Sequence, residues 1–195
     1  MKTIKFKITG IRPLLIHNGE MADRKNKHVQ EIAKLNAKGS KNMTEADHER
    51  RDWLDWEGSL YWSESDKCVS IPSDNIERLI KQGADKARLG KKAEAATLVT
   101  ETDVEVKHRR SGQGKEQLYK DPAYTLRKGV VIKKNRVMKV RPMIPTGWTM
   151  TFTVEYDDQI LNRDNIINAV SQAGSLVGLG TWRPKFGRFT TEVVA

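Results

Sequence analysis

Apolar and polar residues alternate strictly at three places along the chain. Ile4, Phe6 and Ile8 are separated by Lys5 and Lys7, the period-two pattern of a strand with one face buried and the other in water. Trp148, Met150, Phe152, Val154 and Tyr156 alternate with Thr149, Thr151, Thr153 and Glu155 over nine residues, the clearest strand in the sequence. Phe189, Thr191 and Val193 repeat the pattern near the C-terminus. Residues 130–141 are rich in β-formers but interrupted at 133–136, which predicts two strands joined by a basic turn.

Helical spacing falls between these strands. Ser73 follows Ile71 and Pro72 and is placed to cap a helix whose apolar positions Ile76, Leu79, Ile80, Ala84 and Ala87 share one face, with Gly90 as its stop. A second helix is predicted from Asn162 to Ala173, burying Ile166, Ile167 and Val170 and ending at Gly174. Residues 24–62, with flanks reaching about 20–65, read as an insertion of one or two charged helices. Thr44 and Asp47 are spaced as a capping box, and Trp53, Trp56, Leu60 and Tyr61 form an apolar stripe. With the insertion and the basic hairpin set aside, the order is β-α-β-β-α-β. The expected fold is α+β: a modified ferredoxin-like, RRM-like antiparallel sheet with helices on one face and the other face open for a ligand. A single domain over 1–195 is expected, with a thumb-like basic hairpin at about 101–146.

Charge changes the picture from fold to partner. The formal net charge is +10, and residues 106–141 hold all of it: twelve Lys or Arg against Glu116 and Asp121. A segment this one-sided repels itself unless a polyanion or counterions neutralise it, so nucleic acid is the leading partner. Arg109, Arg110, Lys115, Arg127, Lys128, Lys133, Lys134, Arg136, Lys139 and Arg141 are its candidate contacts. A second candidate site follows the last helix, where Gly178 and Gly180 permit close approach of a phosphate or ribose. There Arg183, Lys185 and Arg188 supply charge and Trp182 a stacking plane. Because these glycines follow a helix and precede a strand, they do not make a dinucleotide fingerprint.

Composition narrows the classes. At 37% hydrophobic and 31% charged, the 195 residues can bury one core but not a bundle of membrane helices. Met1 leads directly into the alternating strand without the apolar run of a secretory signal, so a cytoplasmic protein is expected. The lone Cys68 pairs with no second cysteine, and His28, His48 and His108 have no metal-ligand spacing; no metal or cofactor is expected.

Three stretches resemble a known family, the repeat-associated mysterious proteins, which include backbone subunits of CRISPR effector complexes. Residues 8–19, with Gly10, Pro13, His17 and Gly19, resemble the family's first strand and the turn leaving it. Residues 69–76, around Ile71, Pro72 and Ser73, are similar to its Ile-Pro-Gly-Ser-Ser segment, with Asp74 departing from it. Residues 178–189 resemble its glycine-rich loop, in sparser form. The resemblance implies a groove for single-stranded RNA and a hairpin thumb laid between neighbouring subunits, hence a homo-oligomer or filament on the strand. Some relatives are metal-independent ribonucleases using a His, and others carry an Asp in the loop after the first strand, so His17 and Asp23 are the positions to weigh for catalysis. The residues themselves offer no acid–base pair, and a binding protein without enzymatic activity is the reading taken. An interaction or inhibitor module docking through Trp53, Trp56, Tyr61 and Trp62 is the remaining alternative.

Overall fold

A computed structural model describes residues 1–39, 41–132 and 134–194. Lys133 and the side chain of Arg136, both named above as candidate contacts, lie outside the described residues. In chain order the elements are β1 (Lys2–Gly10), β2 (Leu14–Leu15), α1 (Lys27–Ala37), α2 (Glu45–Ser59), β3 (Trp62–Ser63), β4 (Cys68–Pro72) and α3 (Ser73–Ala84). Then follow α4 (Gly90–Ala96), β5 (Thr97–Val99), β6 (Asp103–Glu105), α5 (Lys115–Lys120), β7 (Thr125–Ile132), β8 (Asn135–Ile144), β9 (Thr149–Tyr156), α6 (Arg163–Gln172) and β10 (Phe189–Val194). Among the described residues no helix is long and apolar enough to cross a membrane. The chain divides into two compact units, one of Met1–Leu15, Trp62–Gly112 and Ile144–Ala195, the other of Ile16–Tyr61 and Gln113–Met143.

The first unit is built on an antiparallel sheet of spatial order β10-β1-β9-β5. With α3 after β1 and α6 after β9, this is the ferredoxin-like arrangement. Alternation along β1 and β9 does what the sequence predicts: Phe6 lies opposite Phe152, their rings 5.8 Å apart, and both are buried with Ile4, Ile8, Met150 and Val154. Helices α3 and α6 contribute Ile76, Leu79, Ile80, Ile166 and Val170 to the same core. Gly83 brings them close, since a Cβ there would sit 2.0 Å from the Ala169 carbonyl oxygen.

Several boundaries differ from the sequence reading. Ser73 is the first residue of α3 and no cap; its N–H is taken by the Thr102 carbonyl at 2.9 Å. Gly90 opens α4 where a stop was expected, and Ala87 is exposed in a 3₁₀ turn beyond α3. Asn162 caps α6 through a capping box, but the helix runs past Gly174 through a π turn to Gly178. The sheet's second core strand, β5, is three residues long and too short to show a period.

After that π turn the chain is stitched back along the segment following β1. Leu179 N–H meets the Gly187 carbonyl at 2.8 Å, Thr181 N–H the Leu15 carbonyl at 2.9 Å, and Gly187 N–H the Pro13 carbonyl at 2.8 Å. Gly178 and Gly180 hold φ of 83° and 82°, where side chains are strained. The room beside them is filled by protein: a Cβ would lie 2.7 Å from the Phe186 carbonyl oxygen at Gly178 and 2.3 Å from that of Leu15 at Gly180. A side chain at either position would therefore meet the chain's own backbone, so the fold itself calls for glycine there, while Gly180 also lines an open cleft with Trp182 and Arg183.

In the second unit α2 begins at the predicted Thr44–Asp47 capping box. The indole N–H of Trp56 reaches the Tyr124 carbonyl at 3.0 Å, and Trp53 stacks on Trp56 with Tyr119 edge-on 5.1 Å from Trp53. Buried Leu118 and Tyr124 draw residues 113–124 back as α5 and a 3₁₀ turn, so the basic hairpin comprises only β7 and β8. In that hairpin Lys128 lies directly opposite Lys139, an unfavourable like-charge pair. Two carboxylates on α2 answer it. Asp55 accepts from Lys139 Nζ at 2.8 Å and from Val140 N–H at 3.1 Å, and Asp52 pairs with Arg127. Both aspartates are buried.

Two stability outcomes follow. Asp55→Ala strands the Val140 amide and removes the acid from Lys139, and is expected to cost about 3 kcal/mol in chemical denaturation. Gly180→Val combines a strained φ with overlap on Leu15, and is expected to cost about 3 kcal/mol in the same measurement, with binding lost only as folding is lost. A fully stable Gly180→Val protein defective in binding would restore the ligand-approach reading.

Candidate nucleic-acid interface

The basic run 106–141 is divided between the units. Lys107, Arg109 and Arg110 belong to the first, and the cations from Lys115 to Arg141 to the second. In the first unit Lys107 bridges to Thr149 and the two arginines occupy a turn at His108–Ser111, where the His108 N–H donates to Ser111 Oγ at 2.8 Å and the Arg110 N–H to His108 Nδ1 at 3.2 Å. Burial pushes the His108 pKa down to about 4, so this imidazole is a neutral acceptor that shapes the turn and adds no charge. Arg109 is exposed and Arg110 half-buried.

In the second unit the candidates differ in burial and in the acids that engage them. Lys139 and Arg127 are committed to Asp55 and Asp52, and Lys115 lies 3.7 Å from Glu57. Arg141 is half-buried, and burial lowers its pKa against the opposing pull of Asp55. Lys128 and Lys134 are exposed, Lys134 with a left-handed φ of 69° where the strands turn back. The hairpin therefore presents fewer available charges than its sequence counts.

His17 gains neighbours that no spacing revealed. Its Nδ1 is 3.3 Å from Ser59 Oγ; loss of solvent around the ring and then the Arg141 charge hold its pKa below 6.5, with Asp55 opposing. Asp23 lies elsewhere in function: its carboxylate accepts the Lys25 N–H at 2.9 Å and closes a local turn. Of the aromatics considered as a docking surface, Trp56 is buried with half-buried Trp53 stacked on it, and half-buried Tyr61 accepts the Gly19 N–H through its Oη at 3.3 Å. Trp62 is half-buried in β3, paired with Val69 of β4.

In the first unit, the sheet face away from the helices carries Lys5 and Lys7, with Thr151 and Glu192 on either side of Lys7 and Thr153 beside Lys5. Alternation places no aromatic of β1, β9 or β10 on that face, so it lacks the stacking platform of RRM sheets. Rings are found instead in the loop before β10, where half-buried Trp182 stands 6.2 Å from Phe186. Arg183 Nη1 donates to Gln82 Oε1 at 2.8 Å, and burial followed by repulsion from Arg78 lowers its pKa. Lys185 is exposed and Arg188 half-buried. Arg12, absent from the sequence-based site, lies alongside: its N–H and that of Ile11 both donate to the Arg188 carbonyl, at 3.2 and 2.9 Å. Only the folded loop brings it there; its one sequence signal is a cation beside Pro13.

Neither a protein-family model nor a curated protein matches the chain. Among solved structures it is similar to a chain in a cryo-EM structure of the Type III-B Cmr-beta complex bound to cognate target RNA, at 13% identity and a TM-score of 0.51. The match covers 98% of this chain and 60% of that one, so the protein spans less than two thirds of its neighbour's length. At that identity the likeness is one of fold.

Proposed function

We propose that the protein binds single-stranded nucleic acid, RNA or DNA, through its phosphate backbone without reading sequence, in the manner of a repeat-associated mysterious protein. The observation that carries this reading is that each unit presents cations to solvent, Lys134 at the hairpin tip of one, and Arg109 in a turn and Lys185 in a ring-bearing loop of the other. Charge of this kind attracts any polyanion by counterion release, and rings such as Trp182 add stacking that tolerates every base. The motif resemblance supports the reading, as does the fold shared with a chain of an RNA-bound complex. Several copies then line one strand, because subunits of net charge +10 repel until phosphates neutralise them.

The test is fluorescence anisotropy with labelled single-stranded RNA and DNA over a salt series. Affinity should fall steeply with salt, and the Arg109→Glu, Lys134→Glu double variant should weaken binding to all sequences alike, lowering the salt slope by about one per lost contact. An unchanged slope would remove these residues from the interface. Light scattering on long strands should show several proteins per strand.

We read the protein as binding without cutting, since the hydrogen bonds described for the two candidates assign no acid–base pair: His17 meets Ser59 Oγ and Asp23 accepts the Lys25 N–H. A second reading, a metal-independent ribonuclease, is favoured by His17 itself, which the fold holds neutral beside Ser59 Oγ. Incubation with labelled RNA, with and without magnesium, should leave the strand intact. Cleavage abolished by His17→Ala would transfer the conclusion to the second reading.

A further inference from the structure

The loop before β10 and the segment after β1 border an open cavity of about 560 Å³, lined by Arg12, Pro13, Pro184, Lys185, Phe186 and Arg188. That volume falls in the ~300–1,000 Å³ range of small-ligand sites. The two segments are fastened by backbone hydrogen bonds from Ile11 and Arg12 to Arg188, and from Gly187 to Pro13. Two prolines stiffen the walls further, so the lining is held before any ligand arrives.

The electrostatics differ from those of the hairpin. There, Asp52 and Asp55 stand against Arg127 and Lys139. Here three cations converge and no acid lines the cavity. Among the described residues, no carboxylate lies within ion-pair distance of Arg12, Lys185 or Arg188. Arg188 is the least exposed of the three, and its Nε–H is buried without an acceptor. Buried donors are nearly always satisfied, and this orphan belongs to a cation of the same lining. Phe186 adds a ring to the same lining.

We propose that this cavity is a seat for a phosphomonoester attached to a nucleoside, such as the terminal phosphate of a bound strand. Arg12, Lys185 and Arg188 hold the phosphate, and Phe186 lies against the adjoining sugar or base. A terminal monoester carries about −1.5 to −2 at neutral pH, whereas each internal diester carries a single charge. Three unneutralised cations in one concavity match the former better. The proposal rests on the nucleic-acid reading and adds to it a preference for a strand end, which a grip on the backbone alone does not produce.

The experiment compares short single-stranded RNAs of one sequence ending in a 5′-phosphate, a 3′-phosphate or hydroxyls at both ends, each followed by anisotropy. Uridine 5′-monophosphate and uridine are titrated separately by calorimetry. One phosphorylated end should bind about tenfold tighter than the hydroxyl-ended strand, the size of one charge-assisted hydrogen bond. Uridine monophosphate should bind where uridine does not. Arg12→Gln, at an exposed position, should erase both preferences; Lys185→Gln provides a second variant at no cost to the core. Equal affinity for all three strands overturns the pocket while leaving the backbone-binding reading intact, and so does a preference that survives Arg12→Gln. If no strand binds but uridine monophosphate does so through Arg12, the pocket stands and the strand-binding reading falls. If neither strand nor mononucleotide binds, both fall.

Discussion

Asp52 and Asp55, one turn apart on α2, are the constraint on which the basic hairpin depends. A β-ribbon that sets Lys128 opposite Lys139 and carries Arg127 and Arg141 beside them works against its own folding. Buried carboxylates from outside the ribbon reverse that balance. Asp55 does so with two bonds, one to a charge and one to the Val140 amide, so it fixes the strand as well as the side chain. Removing two ions from water is costly, and the arrangement holds because the aspartates are hydrogen-bonded as well as paired. The aromatic packing of Trp53, Trp56 and Tyr119 around the same helix then keeps those acids in place.

A consequence for function is that the charge of a segment is not the charge it can offer a ligand. Arg127 and Lys139 are engaged by acids, Arg141 is half-buried, and Lys128 and Lys134 are exposed. In the other unit, the loop before β10 holds cations without acids beside them. Its glycines make that possible indirectly: by letting the backbone pass within contact of Leu15 and Phe186, they fold the loop against the segment that carries Arg12. The ferredoxin-like sheet supplies the frame for this, and its outer face of lysines and threonines contributes charge and hydroxyls but no rings. The fold by itself assigns no activity; what the protein can hold depends on these particular side chains.

Much of this architecture was legible in the chain. Period-two alternation fixes which face of β1 and β9 is buried, because any one-residue slip would expose Phe6 and Phe152 together. The Thr44–Asp47 and Asn162 caps announce their helices through local hydrogen bonds between near neighbours, and the net charge of 106–141 follows from counting. Local signals failed where length or distance decided. β5 is three residues long, and Gly90 begins a helix because its bare Cα fits against Asp85, a contact no propensity records. Which cations meet acids, which glycines are filled by backbone, and that Arg12 stands beside Arg188 and Lys185 were settled only by the tertiary structure. The physical reason is that alternation, capping and charge are properties of neighbours in sequence, whereas ion pairing, close approach and cavity walls depend on distances between residues that the chain separates widely and only the packed core brings together.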